Sequence, residues 1–206
     1  MSSVRRNKFK VVIVTGVPGV GKTTVLSLAQ RKANERGLKL KVLNFGDYML
    51  ENAVKKGLLS NRDQIRYLSF RGQLELQAAA ATAMVEEAGR ELSERDFLMV
   101  DTHAVVKTPL GYLPGLPSHV ITSLKPDMIV LVEADPKEIA ARQQRDSARY
   151  RSDFGGEEGV REIIEMSRYA AMASAVEVGS LVTIIRNAEG KAGEAAEQLI
   201  NMISKL

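Results

Sequence analysis

The 206-residue sequence contains no cysteine and no tryptophan. Without cysteine there is neither a disulfide framework nor a thiolate metal site. Aromatic residues are sparse, five Phe and five Tyr, and no strand-like stretch interleaves them with basic residues in the pattern that stacks bases. Nucleic acid is therefore not expected as a partner. Apolar runs are short as well. Val11-Val12-Ile13-Val14 is among the longest, and it is strand-sized, far below a membrane span. Met1 to Lys10 is basic but lacks the apolar stretch of a secretory signal. These absences lead us to expect a cytoplasmic protein with no membrane partner.

Hydrophobic residues make up 45% of the chain and charged residues 26%, the balance of an ordinary globular protein. The length suits one compact domain with at most a small inserted lid. The formal charge of +4 is compatible with nucleic-acid binding or with a pocket for polyanionic small molecules such as nucleotides. The scarcity of aromatics favours the second.

Five apolar runs read as buried strands: Phe9–Thr15, Leu40–Phe45, Phe97–His103, Met128–Ala134 and Leu181–Asn187. Helical stretches lie between them. One runs from about Lys22 to Arg36 and stops at Gly37. Another opens at Asp135-Pro136-Lys137-Glu138, with a capping aspartate and proline at the first helical position. Ala78 to Ala83 reads as a tightly packed helix. Strands alternating with helices predict an α/β fold, a five-stranded parallel sheet with helices on both faces. Such folds bind ligands beyond the carboxyl ends of their strands.

The first of those ends carries the strongest signal. Gly16-Val17-Pro18-Gly19-Val20-Gly21-Lys22-Thr23 fits G-x-x-x-x-G-K-[ST], directly after a strand and opening a helix. The glycines permit unusual dihedrals and close approach, so that backbone N–H groups converge on phosphate oxygens, and the helix N-terminus adds positive potential. In such a loop, extending here to Thr24, Lys22 reaches the β and γ phosphates and Thr23 holds Mg²⁺. A chance match in a chain of this length has a probability of about one per cent.

Asp101 ends the apolar run Phe97–Val100, the arrangement by which P-loop proteins hold or orient Mg²⁺; alone it reads equally well as a strand-end cap. His103 is a substrate-pocket candidate. Between Lys137 and Lys191 the sequence uses arginine and no lysine, which suits forked contacts to phosphate. Arg142, Arg145 and Arg149 share a face at i, i+3 and i+7. With Arg151 and Arg168, the residues Arg142 and Arg149 are candidate phosphate ligands, and Gly155-Gly156 breaks the segment in the manner of a closing lid. The alternative is a solvated, salt-bridged surface.

A second phosphate site is suggested by Gly46 after the second strand and by Arg62 and Arg66, placed on one helix face at i, i+4. The segment from Lys107 to Pro117 is too rich in Pro and Gly for helix or strand and reads as an ordered functional loop. Lys107 is either a contact to an acceptor phosphate or an exposed loop lysine.

Together these segments resemble the archaeal type of adenylate kinase: Val14 to Thr24, Asn44-Phe45-Gly46-Asp47, Arg62 to Arg66, above all Asp101 to Pro117, and Arg168 to Ala175. The phosphate loop occurs in many families, whereas the Asp101 to Pro117 segment is specific to this one. The resemblance implies Mg²⁺-dependent, reversible transfer of the ATP γ-phosphoryl group to AMP, giving two ADP. It implies one domain over residues 1–206, with an AMP-binding helical region at about 45–75, a short lid at about 142–157, and a homotrimeric assembly. Carried onto matching positions, it places Gly46, Arg66, Lys107 and Arg168 at AMP, Lys22, Arg142, Arg149 and Arg151 at the moving phosphoryl group, and Thr23 and Asp101 at the metal. An ammonium at Lys107 gives up the bidentate geometry that arginine would supply. The rival readings are a kinase for another small acceptor, a GTPase-type switch, and an RNA-binding protein. The switch is disfavoured because Leu124-Lys125-Pro126-Asp127 lacks the amide or hydroxyl of a guanine-reading motif.

Overall fold

The computed structural model describes residues 6–59, 61–108, 110–145 and 156–206, and not the side chains of residues 62, 63 and 66. Its centre is a parallel sheet of five strands in the order β2-β3-β1-β6-β7. These are β1 (Lys10–Thr15), β2 (Leu40–Asn44), β3 (Phe97–Asp101), β6 (Met128–Glu133) and β7 (Leu181–Arg186). All five correspond to the expected runs: β1 starts one residue later and ends at the same residue, and the other four end one or two residues earlier. The chain leaves β1 toward β2 on one side of the sheet and leaves β3 toward β6 on the other. The winding therefore reverses at β1, and the crevice that results lies at the strands' carboxyl ends.

Strand alternation distributes the core. Val12 and Val14 of β1, Met99 of β3 and Val130 of β6 face one apolar cluster, which α1 (Lys22–Glu35), α5 (Pro136–Arg145) and α7 (Ala192–Ile203) help to cover. Val11 and Ile13, Leu98 and Val100, and Ile129 and Leu131 face the opposite cluster. That side is covered by α3 (Phe70–Glu91) and α4 (Ser118–Leu124). The long helix α6 (Gly156–Val178) contributes to both, Val160 and Ile163 to the first and Ala171 and Ala175 to the second. Every β1 residue from Val11 to Thr15 is buried. A strand covered on both faces has no need of polar alternation, which is why it reads as an unbroken apolar run.

The structure corrects two local expectations. The segment after β3 is not an irregular loop: β4 (Val105–Thr108) and β5 (Gly111–Pro114) pair antiparallel as a separate hairpin. Thr108 stabilises the turn, its hydroxyl donating to the Gly111 carbonyl at 2.8 Å and accepting from the Leu110 N–H at 3.3 Å. Proline is tolerated at Pro114 because a strand end in a two-stranded ribbon leaves no ladder donor unmet. The second correction concerns residues 62–67. They form a 3₁₀ helix, η1 (Arg62–Tyr67), capped reciprocally by Asn61 and Gln64, rather than an α-helix. With three residues per turn, the i, i+4 argument that placed Arg62 and Arg66 on one face does not apply. The helix α2 (Phe45–Lys55) precedes it.

Polar ties fasten α2 and α3 to the sheet edge. Lys41 of β2 pairs with Glu87 and Glu91 at 2.7 Å each, and the Tyr48 hydroxyl donates to Glu87 at 2.5 Å. Hydrogen bonds from Lys41 and then Tyr48 hold the Glu87 carboxyl below its ordinary pKa. A carboxyl depressed in the folded state stabilises fully above its unfolded pKa and loses that contribution as pH falls through the folded value. Stability measured by urea unfolding should therefore fall on acidification through the carboxylate range, and Glu87→Gln should flatten that acid limb.

Candidate active site

Buried polar side chains gather at the carboxyl edge of the sheet. Among the described residues, Thr15, Asp101 and Glu133 are buried at the ends of β1, β3 and β6. Thr102 and Asn187 are buried immediately beyond β3 and β7, and Lys22 opens α1. Side chains this polar are buried where hydrogen bonds or charges meet them.

The loop from Gly16 to Gly21 is held from outside by its carbonyl groups. His103 Nδ1–H donates to the Gly16 carbonyl at 2.8 Å, since a carbonyl only accepts. Gln143 Nε2 donates to the Pro18 carbonyl at 2.6 Å. The Val20 carbonyl accepts from Asn187 Nδ2 at 2.8 Å and Arg142 Nη1 at 3.2 Å. Carbonyl oxygens drawn to these donors do not repel an anion seated in the loop. Two glycines are obligatory here. A Cβ on Gly16 would lie 2.6 Å from the Val132 carbonyl oxygen. Gly21 has φ 86° at the cap of α1, and a Cβ there would lie 2.6 Å from Asn187 Nδ2.

Lys22, buried, forms an ion pair with Asp101 Oδ1, and Asn44 Nδ2 donates to Asp101 Oδ2 at 2.8 Å. Thr23 and Thr24 follow in the first turn of α1, both exposed. Thr15 Oγ1 accepts from the Ala104 N–H at 2.6 Å, fastening the turn after β3 to β1.

Among the described residues, the remaining candidate cations are paired with carboxylates. Arg142 donates from Nε to Glu189 at 2.7 Å and from Nη2 to Glu138 at 3.0 Å. Arg168 forms a fork with Glu133, the Nε bond being 2.8 Å, and that pairing holds the guanidinium above its ordinary pKa. Lys107 lies 3.7 Å from Glu162 and 5.9 Å from the centroid of the Tyr112 ring. Gly46 lies in the first turn of α2 and Arg66 in η1, the side chain of Arg66 lying outside the described residues. Arg149, Arg151 and most of the expected lid lie outside them too.

Asn187 and Gln143 brace the loop, yet sequence reasoning gave neither a role. The available signal was positional: Asn187 is a polar residue directly after an apolar strand, at the edge where ligands bind.

No group of three or more His, Cys, Asp or Glu suited to a metal occurs among the described residues. The hard oxygen donors present, the Thr23 hydroxyl and the Asp101 carboxylate, fit a cation that takes few protein ligands and completes its shell with water and substrate phosphate, the habit of Mg²⁺.

A phosphate loop opening a helix at the reversal point of a parallel sheet defines the class: a P-loop nucleotide-binding protein. Comparison with known proteins narrows it. A family model described as an AAA domain matches residues 15–160. The adenylate kinase of Saccharolobus solfataricus is 50% identical over 194 residues, covering 94% of this chain and 99% of that one. The adenylate kinase of Methanocaldococcus jannaschii is 43% identical over 196 residues, covering 95% and 99%. A shikimate kinase from Bacteroides thetaiotaomicron has the same fold, with a TM-score of 0.54 at 15% identity, covering 95% of this chain and 98% of that one. The chain belongs to the adenylate kinase family, which makes it a nucleoside monophosphate kinase.

Gly21→Ala tests the cradle directly. Left-handed backbone costs an L-residue about 1–2 kcal/mol, and the clash with Asn187 adds to it. Urea unfolding should show a loss of at least about that size, and calorimetry a drop in ATP affinity of roughly tenfold or more.

Proposed function

We propose that the chain catalyses Mg²⁺-dependent, reversible transfer of the ATP γ-phosphoryl group to AMP, giving two ADP, and serves nucleotide homeostasis in the cytoplasm. The observation that carries this reading is the buried Lys22–Asp101 pair, set between the phosphate loop and the start of α2. Around it the carboxyl edge offers a donor cradle on one side and, in residues 45–75, a helical region for the acceptor on the other.

In the proposed reaction a phosphate oxygen of AMP attacks the γ-phosphorus in line. The bond from γ-phosphorus to the β,γ-bridging oxygen breaks, and ADP leaves with that electron pair. The AMP phosphate is already anionic at neutral pH, so no general base is required. The chain's task is positioning and charge stabilisation. Backbone N–H groups of residues 16–24 cradle the ATP phosphates, and Lys22, released from Asp101, neutralises the β and γ groups. Thr23 and Asp101 would hold Mg²⁺, which supplies electrostatic stabilisation of the phosphates when bound. Gly46, Arg66, Lys107 and Arg168 serve AMP. Arg142 fixes the loop at Val20 and, with Arg149 and Arg151, belongs to a lid at about 142–157 that excludes water. Lys107 and Arg168 reach a phosphate by exchanging Glu162 and Glu133 for it.

A homotrimer is part of the proposal. Tyr169, Met172 and Val176 stand at i, i+3 and i+7 on α6, with exposures of 70%, 54% and 76%. Three large apolar side chains on one helix face suit contact with a second copy of the chain. Light scattering should give three times the chain mass, and Val176→Glu should lower it; a monomeric wild type would overturn this part.

Coupled detection of ADP from ATP and AMP, with and without Mg²⁺, is the direct assay, with CMP, UMP, GMP and shikimate as alternative acceptors. Lys22→Ala should lower turnover by roughly 10²–10³-fold or more. It also leaves Asp101 buried without its lysine, at a cost of about 3–5 kcal/mol in stability. The double variant Lys22→Ala, Asp101→Asn should recover stability without recovering turnover, separating chemistry from folding. Near-normal turnover of Lys22→Ala would sink the assignment.

A further inference from the structure

Asn44 is the last residue of β2 and the N-cap of α2. Its side chain joins two elements. Nδ2 donates to Asp101 Oδ2 at 2.8 Å, and Oδ1 accepts from the Asp47 N–H at 3.3 Å. Chemistry fixes that orientation, because a carboxylate only accepts and a backbone N–H only donates; a flipped amide would lose both bonds. The contact is also built into the sheet. In the parallel register of β2 and β3, Asn44 lies opposite Asp101. The other oxygen of the same carboxylate, Oδ1, is the one that pairs with Lys22. A continuous polar path therefore runs from the phosphate-loop lysine through Asp101 and Asn44 to the first turn of α2.

We infer that Asn44 is a positioning residue that fixes the Asp101 carboxylate for the metal and, with the same amide group, the start of the acceptor helix. The inference rests on the reading that Asp101 serves the metal and α2 the acceptor. By occupying Oδ2, the Asn44 amide prevents the carboxylate from rotating about its own bond. Oδ1 is then the oxygen that exchanges Lys22 for the cation when a triphosphate draws the lysine away. By capping α2, the carbonyl half of the amide sets the backbone of Gly46, two residues on, where an acceptor phosphate would approach. Hydrogen-bond partners that orient a metal-binding carboxylate change metal affinity or activity by about 10–100-fold when removed. The two halves of the Asn44 side chain thus act on different substrates.

Serine separates the halves. It is as good an N-cap as asparagine, but one hydroxyl on a shorter side chain cannot also reach Asp101. In Asn44→Ser, metal-free calorimetry should give an AMP affinity within about twofold of wild type. Turnover should fall about tenfold, and the Mg²⁺ concentration for half-maximal rate should rise by a similar factor. Asn44→Ala removes both halves. It should show the same loss of turnover and, in addition, AMP binding weakened about fivefold in the metal-free titration, the size of a lost cap. Asn44→Ser with wild-type turnover and Mg²⁺ dependence overturns the inference. So does Asn44→Ala with the AMP affinity of Asn44→Ser, which removes the link to α2. A wild-type chain that forms no ADP from ATP and AMP overturns the functional reading beneath it, so the two failures are told apart by the wild type.

Discussion

One buried ion pair organises the working edge of this protein. Lys22 and Asp101 come from the two elements that any nucleotide mechanism must bring together, the helix after the phosphate loop and the strand beside it. Desolvating both charges is expensive, and the pair adds little to stability compared with apolar residues of similar volume. Its consequence is geometric. Neither charge can be left alone in the interior, so β1, β3 and the loop between β1 and α1 are constrained until something replaces one partner. In the proposed reaction a triphosphate with its cation would replace both at once, phosphate for the lysine and metal for the carboxylate. The fold thus holds its reactive charges in place with an interaction that the substrates are suited to displace.

The apolar sheet makes that arrangement affordable. Val11 to Val14 are fully buried and divide by alternation between two apolar clusters. In β1, β3 and β6 polarity is confined to the strand ends, where the register places Val14 opposite Asp101 and Thr15 opposite Leu131. This separation is why so much was legible in the sequence. An unbroken apolar run followed by glycines and a lysine has one economical structure, a buried strand feeding a phosphate loop. An apolar run ending in aspartate, as in Phe97 to Asp101, has another. The family could be read from Asp101 to Pro117 even though that segment's own conformation could not.

What escaped reading has two physical causes. The β4–β5 hairpin is rich in Pro and Gly, and its pairing is set by a side-chain turn at Thr108 and by Gly115 accepting a tight passage beside His103. Periodicity carries none of that. The 3₁₀ helix at Arg62–Tyr67 keeps helical composition while changing the number of residues per turn. The contacts of Asn187 and Gln143 escaped for a different reason. These side chains act on backbone carbonyls of a loop over 100 residues away in sequence, and no local pattern encodes a contact whose accepting group belongs to the backbone.

The charge pattern of the edge shows the same logic at a larger scale. Among the described residues, each cation expected at a phosphate meets a carboxylate in the structure: Lys22 with Asp101, Arg142 with Glu138 and Glu189, Arg168 with Glu133, and Lys107 with Glu162. Two of these pairs hold a strand-end carboxylate against a helix, Asp101 on α1 and Glu133 on α6. An arginine or lysine cluster without such partners would repel itself and splay into solvent. Paired, each side chain waits in one conformation, at the cost of the exchange when a phosphate arrives. On the proposed assignment that cost would lower nucleotide affinity, which is tolerable in an enzyme that must release two products of nearly the same charge as its substrates. On the proposed assignment, internal carboxylates standing where phosphates would bind serve turnover as much as folding.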